Sequence, residues 1–368
     1  MDNQKIILIT HEYPPKRGGA GVYCEELIHA SKKLSIDIEA WVPKYVKKRD
    51  NLRNLPLKGT QDWICSYRMF KELLNKKNSF PSYTLLHFAE PGSLRAIIRF
   101  GWLIKNLPKI MVTIHGTELI RFCTNPIEKI LFRNFLKRAK RIHVLSKFNK
   151  NEMLRIFPEV KDRIFLFPGA PARNQISDNQ KKEIISCERI NILCVARIHP
   201  RKGQDRVLTA INELPKSLRI NIECTFVGPI VKKRFYNNLK VLTEHLDYNV
   251  KFLGNLSDDA LKKQYQNSHI FILPSMPRSK SIEGFGFVYL EASSHGLPII
   301  AHRTGGVEDA VKNGETGILT EPEKPIELKN AIERLLTETN LRKRMSQAGK
   351  NWAQKHSWEK VAKNIYSF

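Results

Sequence analysis

Short apolar runs alternate along the chain with segments whose apolar positions recur at helical spacing. In the first 172 residues this pattern predicts a first helix at 22–34 and strands at 5–10, 36–42, 85–88, 110–115, 141–146 and 164–167. Regular alternation of strands and helices is typical of a parallel sheet that is covered by helices on both faces.

The alternation breaks after residue 168 and restarts at residue 190, across a polar stretch that reads as an interdomain linker. The second series has predicted helices at 204–214, 233–246 and 258–266 and strands at 190–196, 220–227, 250–253, 269–275, 298–301 and 317–320. The sequence therefore predicts two tandem Rossmann-like, doubly wound α/β domains at 1–172 and 190–350. We expect a linker at 173–189 and a helical tail at 351–368 that could pack back on the first domain.

The stretch SIEGFGFVYLEASSHG at 281–296 follows a buried apolar run and predicts a helix that ends at Gly296. Its entrance carries Glu283 and two glycines, where backbone N–H groups and the helix dipole could bind a phosphate or a hydroxyl-rich group. Glu291 lies eight residues further on. If most of this interval is helical, about 12 Å along the helix axis separates the two carboxylates. That distance suits an elongated ligand with a polar group at each end.

Two loops of the first domain could carry chemistry. The loop HEYPPKRGGAG at 11–21 leads from a strand into a helix, which suits a phosphate-cradling turn. It lacks the dinucleotide fingerprint, because Cys24 follows where a small residue is required, and a tight turn without a ligand is the alternative. His115 ends a predicted strand, although a histidine at such a position is more often structural than catalytic.

In the second domain, the loop from Arg197 to Gly203 joins a strand to a helix and contains Lys202. A guanidinium and an ammonium beside a helix N-terminus can neutralise a diphosphate, and a solvated basic loop is the alternative. The sequence contains no Asp-x-Asp, HExxH or His/Cys cluster, so we expect no metal ion and no cofactor. Gly305, Gly306 and Glu308 form a further glycine turn after a predicted strand.

The net charge of +26 over 368 residues indicates attraction to an anionic partner, which could be nucleic acid, acidic lipid or an acidic substrate. Residues 1–172 carry 31 Lys and Arg against 15 Asp and Glu. Within them, 44–53 and 129–141 combine basic and apolar residues at the spacing of an interfacial helix, with a solvated basic helix face as the alternative.

No apolar run approaches the length of a membrane span, and the chain enters a strand without a signal peptide. We therefore expect a cytoplasmic protein, which could lie peripherally on the inner face of the cytoplasmic membrane. The six cysteines form no CxxC pair, so reduced thiols are expected.

Taken together, these motifs resemble the retaining glycosyltransferases of family 4, which have the GT-B fold with two domains facing across a cleft. The resemblance covers nearly the whole chain, and it is carried by Pro15, Gly18, Gly19, Thr113, His115, Gly116, Val144, Ser146, Arg197, Lys202, Gly203, Leu273, Pro274, Ser275, Glu283, Gly284, Phe285, Gly286, Glu291, Gly305, Gly306, Glu308, Gly314, Gly317, Ser357 and Trp358.

The resemblance implies a nucleoside diphosphate sugar as donor and assigns roles around it. Arg197 and Lys202 would hold the diphosphate, and Glu291 would accept hydrogen bonds from the ribose. Glu283 and the amides of Gly284, Phe285 and Gly286 would hold the transferring sugar. Gly18 and Gly19 would lie at the phosphate, and His115 would contact the sugar near the reacting carbon. By the resemblance, His115, Glu283, Arg197 and Lys202 form the catalytic set.

The motif forms are most similar to those of GDP-mannose-dependent lipid mannosyltransferases, which favours GDP-mannose over a UDP-sugar. The acceptor would be lipid-linked, or a growing polysaccharide or lipopolysaccharide. The sequence departs from the family pattern at two places, so the family's residue roles are not carried over there. Pro168-Gly169-Ala170-Pro171 replaces the usual Asn-Gly-Val-Asp, and Pro229-Ile230 replaces a small-residue pattern. A nicotinamide-dependent oxidoreductase and a basic nucleic-acid-binding protein are the alternatives. The failed fingerprint opposes the first and the lack of a nucleic-acid motif opposes the second.

Overall fold

The computed structural model describes residues 4–15, 18–47, 50–176, 189–277 and 281–367. They fall into two compact units. The first unit holds the described residues of Met1–Gly169, Ser279–Phe285 and Ser357–Phe368, and the second holds those of Ala170–Arg278 and Gly286–His356. The chain therefore passes between the units four times.

In its described residues, the first unit contains a seven-stranded parallel sheet. The strands are β1 (Lys5–Ile9), β2 (Ile38–Pro43), β3 (Leu52–Leu55), β4 (Thr84–Phe88), β5 (Lys109–Ile114), β6 (Arg141–Val144) and β7 (Ile164–Leu166). The strand order is β3-β2-β1-β4-β5-β6-β7. This is a doubly wound order, and it reverses between β1 and β4. The central strands are almost wholly buried, because helices cover both faces of the sheet.

Helices follow most of these strands along the chain, as connections between parallel strands usually do. They are α1 (Gly19–Lys33), α2 (Trp63–Lys76), α3 (Pro91–Phe100), α4 (Thr117–Arg121), α5 (Pro126–Arg138) and α6 (Lys147–Ile156). Local sequence fixes several of their starts: Asp62, Glu90, Asn125 and Ser146 cap α2, α3, α5 and α6 through hydrogen bonds from backbone N–H groups of the first turn.

The second unit contains a six-stranded parallel sheet in the part of the chain that the structure describes. Its strands are β8 (Ile190–Val195), β9 (Ile222–Val227), β10 (Asn249–Phe252), β11 (Ile270–Leu273), β12 (Ile299–His302) and β13 (Gly317–Thr320). The order is β10-β9-β8-β11-β12-β13, which reverses between β8 and β11. The helices are α7 (Gln204–Asn212), α8 (Lys216–Arg219), α9 (Lys233–Thr243), α10 (Asp258–Asn267), α11 (Phe287–Ser294), α12 (Val307–Ala310), α13 (Pro325–Thr337) and α14 (Thr339–Gln354).

The last helix, α15 (Trp358–Tyr366), belongs to the first unit, where it packs on α1. The Tyr23 and Trp358 rings meet edge to face with their centroids 5.5 Å apart. The Tyr366 hydroxyl is hydrogen-bonded to His87 Nδ1 on β4 at 2.8 Å. The predicted fold class, with two parallel sheets, alternating helices and a helical C-terminal end, is confirmed.

Two sequence expectations were wrong in detail. The segment 44–53 is not an interfacial helix in its described residues: Lys44 and Tyr45 form a turn, and Leu52 and Arg53 open β3. This strand pairs with β2, and the Arg53 guanidinium lies 4.8 Å from the centroid of the Trp41 ring. Because the strand reads LRNL, with no β-branched residue, its composition gave no strand signal. Of the segment 129–141, α5 accounts for residues up to 138, and β6 begins at Arg141.

Most of the predicted linker, residues 177–188, lies outside the described residues. Its first residues, Arg173–Gln175, form a short 3₁₀ helix on the second unit. There the Gln175 side chain donates to the Asp258 carbonyl at 3.2 Å.

Candidate functional site

The loop after β1 lies where the strand order of the first unit reverses, the position at which ligands bind in doubly wound sheets. It is tied to the loop after β4, because the His11 N–H donates to the Glu90 carboxylate at 2.8 Å. Burial raises the pKa of Glu90, although backbone N–H groups of His11, Gly92 and Ser93 oppose the shift. A buried carboxylate with three N–H donors therefore joins these two loops.

Gly18 and Gly19 stand at the start of α1, with Gly18 as the residue before its first turn. The Glu12 side chain packs against this turn, with Oε1 only 2.0 Å from where a Cβ at residue 18 would lie. The structure therefore contains the predicted glycine turn between β1 and α1. Its contact with phosphate stays a prediction.

His115 follows β5 and is held from three sides. Its Nε2 is 2.9 Å from the Ala89 carbonyl oxygen, its backbone N–H donates to the Glu118 carboxylate, and the Tyr23 ring meets it edge to face at 5.1 Å. Desolvation lowers the pKa of His115 to about 4, although the bond to the Ala89 carbonyl opposes this. The imidazole is therefore neutral near pH 7. Because a carbonyl oxygen only accepts, Nε2 carries the proton and Nδ1 is an acceptor.

Glu118 lies in the first turn of α4, three residues after His115. It is fully buried in α4, and burial raises its pKa to about 7 in spite of hydrogen bonds from the backbone N–H groups of its own turn, His115 and Gly116. This carboxyl accepts the hydrogen bond from the His115 N–H and so holds the backbone at the end of β5 in place. Its place three residues after a strand-end histidine is the sequence signal that could have pointed to it.

The segment 281–285 packs on this same edge of the first unit. The Asn149 side-chain amide donates to the Gly284 carbonyl at 3.2 Å and reaches the Ile114 carbonyl at 3.5 Å. A Cβ at Gly284 would lie 1.6 Å from the His115 carbonyl oxygen, so only glycine allows this close approach. Phe285 is buried and Glu283 half-buried. The structure thus brings Glu283, Gly284 and Phe285 to the strand end that carries His115.

A buried polar network lies beneath His115. The Thr113 hydroxyl is within 3.2 Å of Tyr23 Oη, His87 Nε2 and His143 Nδ1. Desolvation lowers the pKa of His87, and it lowers that of His143 to about 4. These neutral side chains are hydrogen-bonded to one another in the core of the first unit. The hydrogen bond between His87 and Tyr366 connects them to α15.

In the second unit, the loop from Arg197 to Gly203 follows β8, beside the point where the strand order reverses. Gln204 Nε2 donates to the Arg197 carbonyl at 3.0 Å, and the Met276 N–H, beyond the end of β11, donates to the Arg201 carbonyl at 2.8 Å. Arg197 is exposed, whereas Lys202 is largely buried. A fixed loop therefore presents the two basic side chains at the carboxyl edge of the sheet.

Glu291 lies in α11, and the Tyr265 hydroxyl donates to its Oε2 at 3.0 Å. The His295 ring stacks on Tyr265 with centroids 5.2 Å apart. Burial raises the pKa of Tyr265 well above its ordinary value, and the Glu291 charge adds to this effect, so the phenol stays a donor. This pair orients a largely buried carboxylate on the same unit as the Arg197 loop.

The helix that carries Glu291 begins later than the sequence suggested. Gly286, at φ +98°, precedes its first turn, and Phe287 is the first helical residue. About half of the interval from Glu283 to Glu291 is therefore not helical, so the 12 Å derived from helical rise does not apply. The chain also passes from the first unit to the second between Phe285 and Gly286.

The predicted site residues thus form two groups, each within one unit. The first holds Gly18, Gly19, His115, Glu283, Gly284 and Phe285, and the second holds Arg197, Lys202, Gly286 and Glu291. Glu308, from the last glycine turn, is ion-paired with Arg303. Asn149 and Tyr265, which position Gly284 and Glu291, have no motif in the sequence and were missed.

No helix among the described residues is long and apolar enough to cross a membrane. Within the same residues, no group of three or more His, Cys, Asp and Glu side chains is arranged to hold a metal ion.

Two family models match the chain. The model for glycosyltransferase family 4 matches residues 17–170, and that for glycosyl transferases group 1 matches residues 175–352. A GDP-mannose-dependent monoacylated alpha-(1-6)-phosphatidylinositol monomannoside mannosyltransferase from Corynebacterium glutamicum is 31% identical over 393 residues, covering 99% of this chain and 97% of the relative.

Solved structures show the same fold. Sucrose-phosphate synthase from Thermosynechococcus elongatus superposes with a TM-score of 0.78 at 19% identity, covering 98% of this chain and 97% of the other. WaaG, a glycosyltransferase involved in lipopolysaccharide biosynthesis, gives a TM-score of 0.74 at 15% identity, covering 99% of this chain and all of the other.

Proposed function

The chain belongs to glycosyltransferase family 4, whose members are retaining enzymes with the GT-B fold, and we propose that it transfers mannose from GDP-mannose to a lipid-linked acceptor. The family and the class of reaction follow from the comparisons. The donor and the acceptor are the proposal, and the motif forms together with the name of the Corynebacterium glutamicum relative support them.

One observation carries the proposed donor site. In the second unit, β8 and β11 are neighbours at the point of strand reversal, so the Arg197–Gly203 loop and the segment after β11 share one carboxyl edge. The Met276 N–H bond to the Arg201 carbonyl joins the two directly. Ligands of doubly wound sheets bind at such a position. An exposed arginine and a largely buried lysine there favour an anionic ligand.

We assign the diphosphate to Arg197 and Lys202. Cleavage of the sugar–phosphate bond places negative charge on the leaving diphosphate oxygen, and preorganised cationic donors stabilise that charge in the transition state. The two side chains would supply the charge that a metal ion supplies in other enzymes. Glu291, fixed by Tyr265, suits the ribose hydroxyls, because a carboxylate only accepts hydrogen bonds and hydroxyls can donate them.

We assign the transferring sugar to Glu283, the Gly284 and Phe285 amides, and His115. The neutral imidazole of His115 offers Nδ1 as an acceptor for a sugar hydroxyl near the reacting carbon. We favour departure of the diphosphate and attack of the acceptor from the same face, with an ion pair between the two steps. This route retains the anomeric configuration without a covalent nucleophile, so Glu283 acts as a binding group in this scheme.

A UDP-sugar is the second donor candidate, because the Pro229-Ile230 departure falls where the nucleobase would be recognised. A polysaccharide or lipopolysaccharide acceptor is the second candidate for the other substrate, and WaaG shares the fold.

Transfer itself tests this proposal. The protein is incubated with membrane lipid extract and either GDP-mannose or UDP-glucose, and the product linkage is assigned by NMR. We expect α-linked mannose on lipid, and slower or no transfer from UDP-glucose. Transfer of glucose alone would overturn the donor assignment, and a β-linked product would overturn the retaining route.

A further inference from the structure

The first unit contains a cavity of about 360 Å³ between α2, α3 and α5 that none of the roles above uses. We call it the α2–α5 cavity. The side chains that define its chemistry are Trp63, Arg95, Arg99, Arg121, Ile127 and Glu128. They combine a cationic wall with apolar groups at the surface of the protein.

The cationic wall is rigid. Glu128 bridges two arginines, with Oε2 2.8 Å from Arg95 and Oε1 3.1 Å from Arg99. The Arg99 guanidinium also donates to the Gln61 carbonyl at 2.9 Å and to Ser66 Oγ at 3.1 Å. Burial alone would raise the pKa of Glu128, but the hydrogen bonds and charges of the two arginines outweigh it and lower the pKa. Arg95 and Arg99 therefore share one ionised carboxylate, and with Arg121 the side chains that line the cavity carry a net positive charge.

The rim of the cavity is apolar and exposed. The Trp63 side chain is 59% exposed and that of Ile127 is 69% exposed. The Arg99 guanidinium lies 4.3 Å from the Trp63 ring centroid, so the cationic and apolar parts are in direct contact. The neighbouring Ile64 and Ile130, on α2 and α5, are also exposed. Such a surface matches a molecule whose charged group lies next to a hydrocarbon chain.

The cavity is close to the candidate sugar site in the same unit. The helix α4 begins two residues after His115 and ends at Arg121, which lines the cavity. Five helical residues span roughly 7 Å. A bound molecule could therefore occupy the cavity while another part of it reaches His115.

We propose that the α2–α5 cavity binds the anionic headgroup and the first chain carbons of the lipid acceptor. This inference rests on the proposed function and narrows the acceptor to an acidic amphiphile of the bilayer. The arginines hold the acidic group, and Trp63 and Ile127 contact the chain. Inorganic phosphate would contact only the arginines, and a neutral amphiphile would contact only the apolar rim.

Isothermal titration below micelle-forming concentrations tests this with three probes: octyl phosphate, inorganic phosphate and octyl glucoside. The test variant is Ile127→Glu, which places a carboxylate at the rim of the cavity. The chain offers a matched control in Ile326→Glu, because both isoleucines follow the first proline of a helix in a Pro-Ile-Glu sequence and both are exposed. A glutamate in the first turn suits a helix, so both variants should fold.

We expect octyl phosphate to bind the parent at least about tenfold more tightly than either other probe. Ile127→Glu should lose at least about tenfold in octyl phosphate affinity, and Ile326→Glu should match the parent. Equal affinity for inorganic phosphate would reduce the cavity to a free-phosphate site, and equal affinity for octyl glucoside would reduce it to an apolar patch. Either result overturns the proposal. Equal octyl phosphate affinity of Ile127→Glu and Ile326→Glu overturns it as well.

The same samples are titrated with GDP to separate this inference from the proposed function. GDP binding without selective octyl phosphate binding would reject the cavity and leave the glycosyltransferase assignment intact. Selective octyl phosphate binding without GDP binding would support the cavity and reject the proposed donor.

Discussion

Replacing Gly284 with alanine tests whether the close approach of segment 281–285 to β5 supports catalysis. The added Cβ would lie 1.6 Å from the His115 carbonyl oxygen and 2.7 Å from its carbonyl carbon. Both are backbone atoms, so a rotamer change cannot relieve the overlap. Ordinary contact begins at 3.4 Å, so the loop or the strand end must move by roughly 2 Å.

A displacement of about 1 Å in a positioned group can lower a rate by about 100-fold. We therefore expect kcat/KM for sugar transfer to fall by at least about 100-fold in Gly284→Ala. The free energy of unfolding should fall by only about 1–3 kcal/mol, which is the usual cost of overpacking. Initial transfer rates and the thermal unfolding midpoint measure these two effects on the same preparation.

The matched control is Gly349→Ala in α14. Its Cβ would meet Ser293 Cβ at 3.5 Å, an ordinary contact, and alanine stabilises a helix interior relative to glycine by about 1 kcal/mol. We expect unchanged kcat/KM in this variant. A folded Gly284→Ala protein with the parental rate would refute the role given to the 281–285 loop.

Three further predictions concern Glu283, the basic segment 129–141 and Glu118. Glu283→Gln should abolish measurable transfer while leaving the far-UV circular dichroism and the unfolding midpoint at parental values; an active variant would remove Glu283 from the site. The double variant Lys137→Glu and Lys140→Glu, on the exposed basic part of 129–141, should weaken binding to acidic vesicles in a flotation assay; unchanged binding would return this segment to a solvated basic surface. Glu118 should make stability depend on pH, because its folded pKa of about 7 lies above its ordinary value of 4.5. Its neutral form favours the fold fully below pH 4.5, and this contribution is lost as the pH rises through 7. Relative to the parent, Glu118→Gln should therefore gain up to about 3 kcal/mol between pH 5 and pH 8, as measured by urea denaturation; a pH-independent difference would contradict the shift.

The two sheets were predictable because strands buried on both faces appear in sequence as short apolar runs. β1, β5 and β11 are examples, and each gave a clear signal. β3 gave none, since its place in the sheet comes from pairing with β2 and from the contact of Arg53 with Trp41. The same tertiary pairing explains why the helical spacing seen in 44–53 did not produce a helix.

The site was predictable only where it depends on glycines or charges in strand-end loops. Arg197, His115 and Glu291 follow strands whose ends could be located. Asn149 and Tyr265 act through contacts with residues distant in sequence, at Gly284 and Glu291, and no local pattern marks such partners. The sequence placed the start of this helix before Phe287. Residues 281–285 belong to the first unit, and the helix begins only after the chain re-enters the second unit at Gly286.

The proposed function requires above all that the Arg197 loop of the second unit binds the diphosphate of a nucleotide sugar. The most direct measurement is a thermal shift titration of the parent, Arg197→Ala and a control, Arg344→Ala on the exposed face of α14, with GDP, UDP, ADP and NAD. Ligands that bind the folded state raise its unfolding midpoint by mass action. We predict the largest rise with GDP, its loss in Arg197→Ala, and its retention in Arg344→Ala. Stabilisation by NAD alone, or equal stabilisation of both variants by GDP, would contradict the claim.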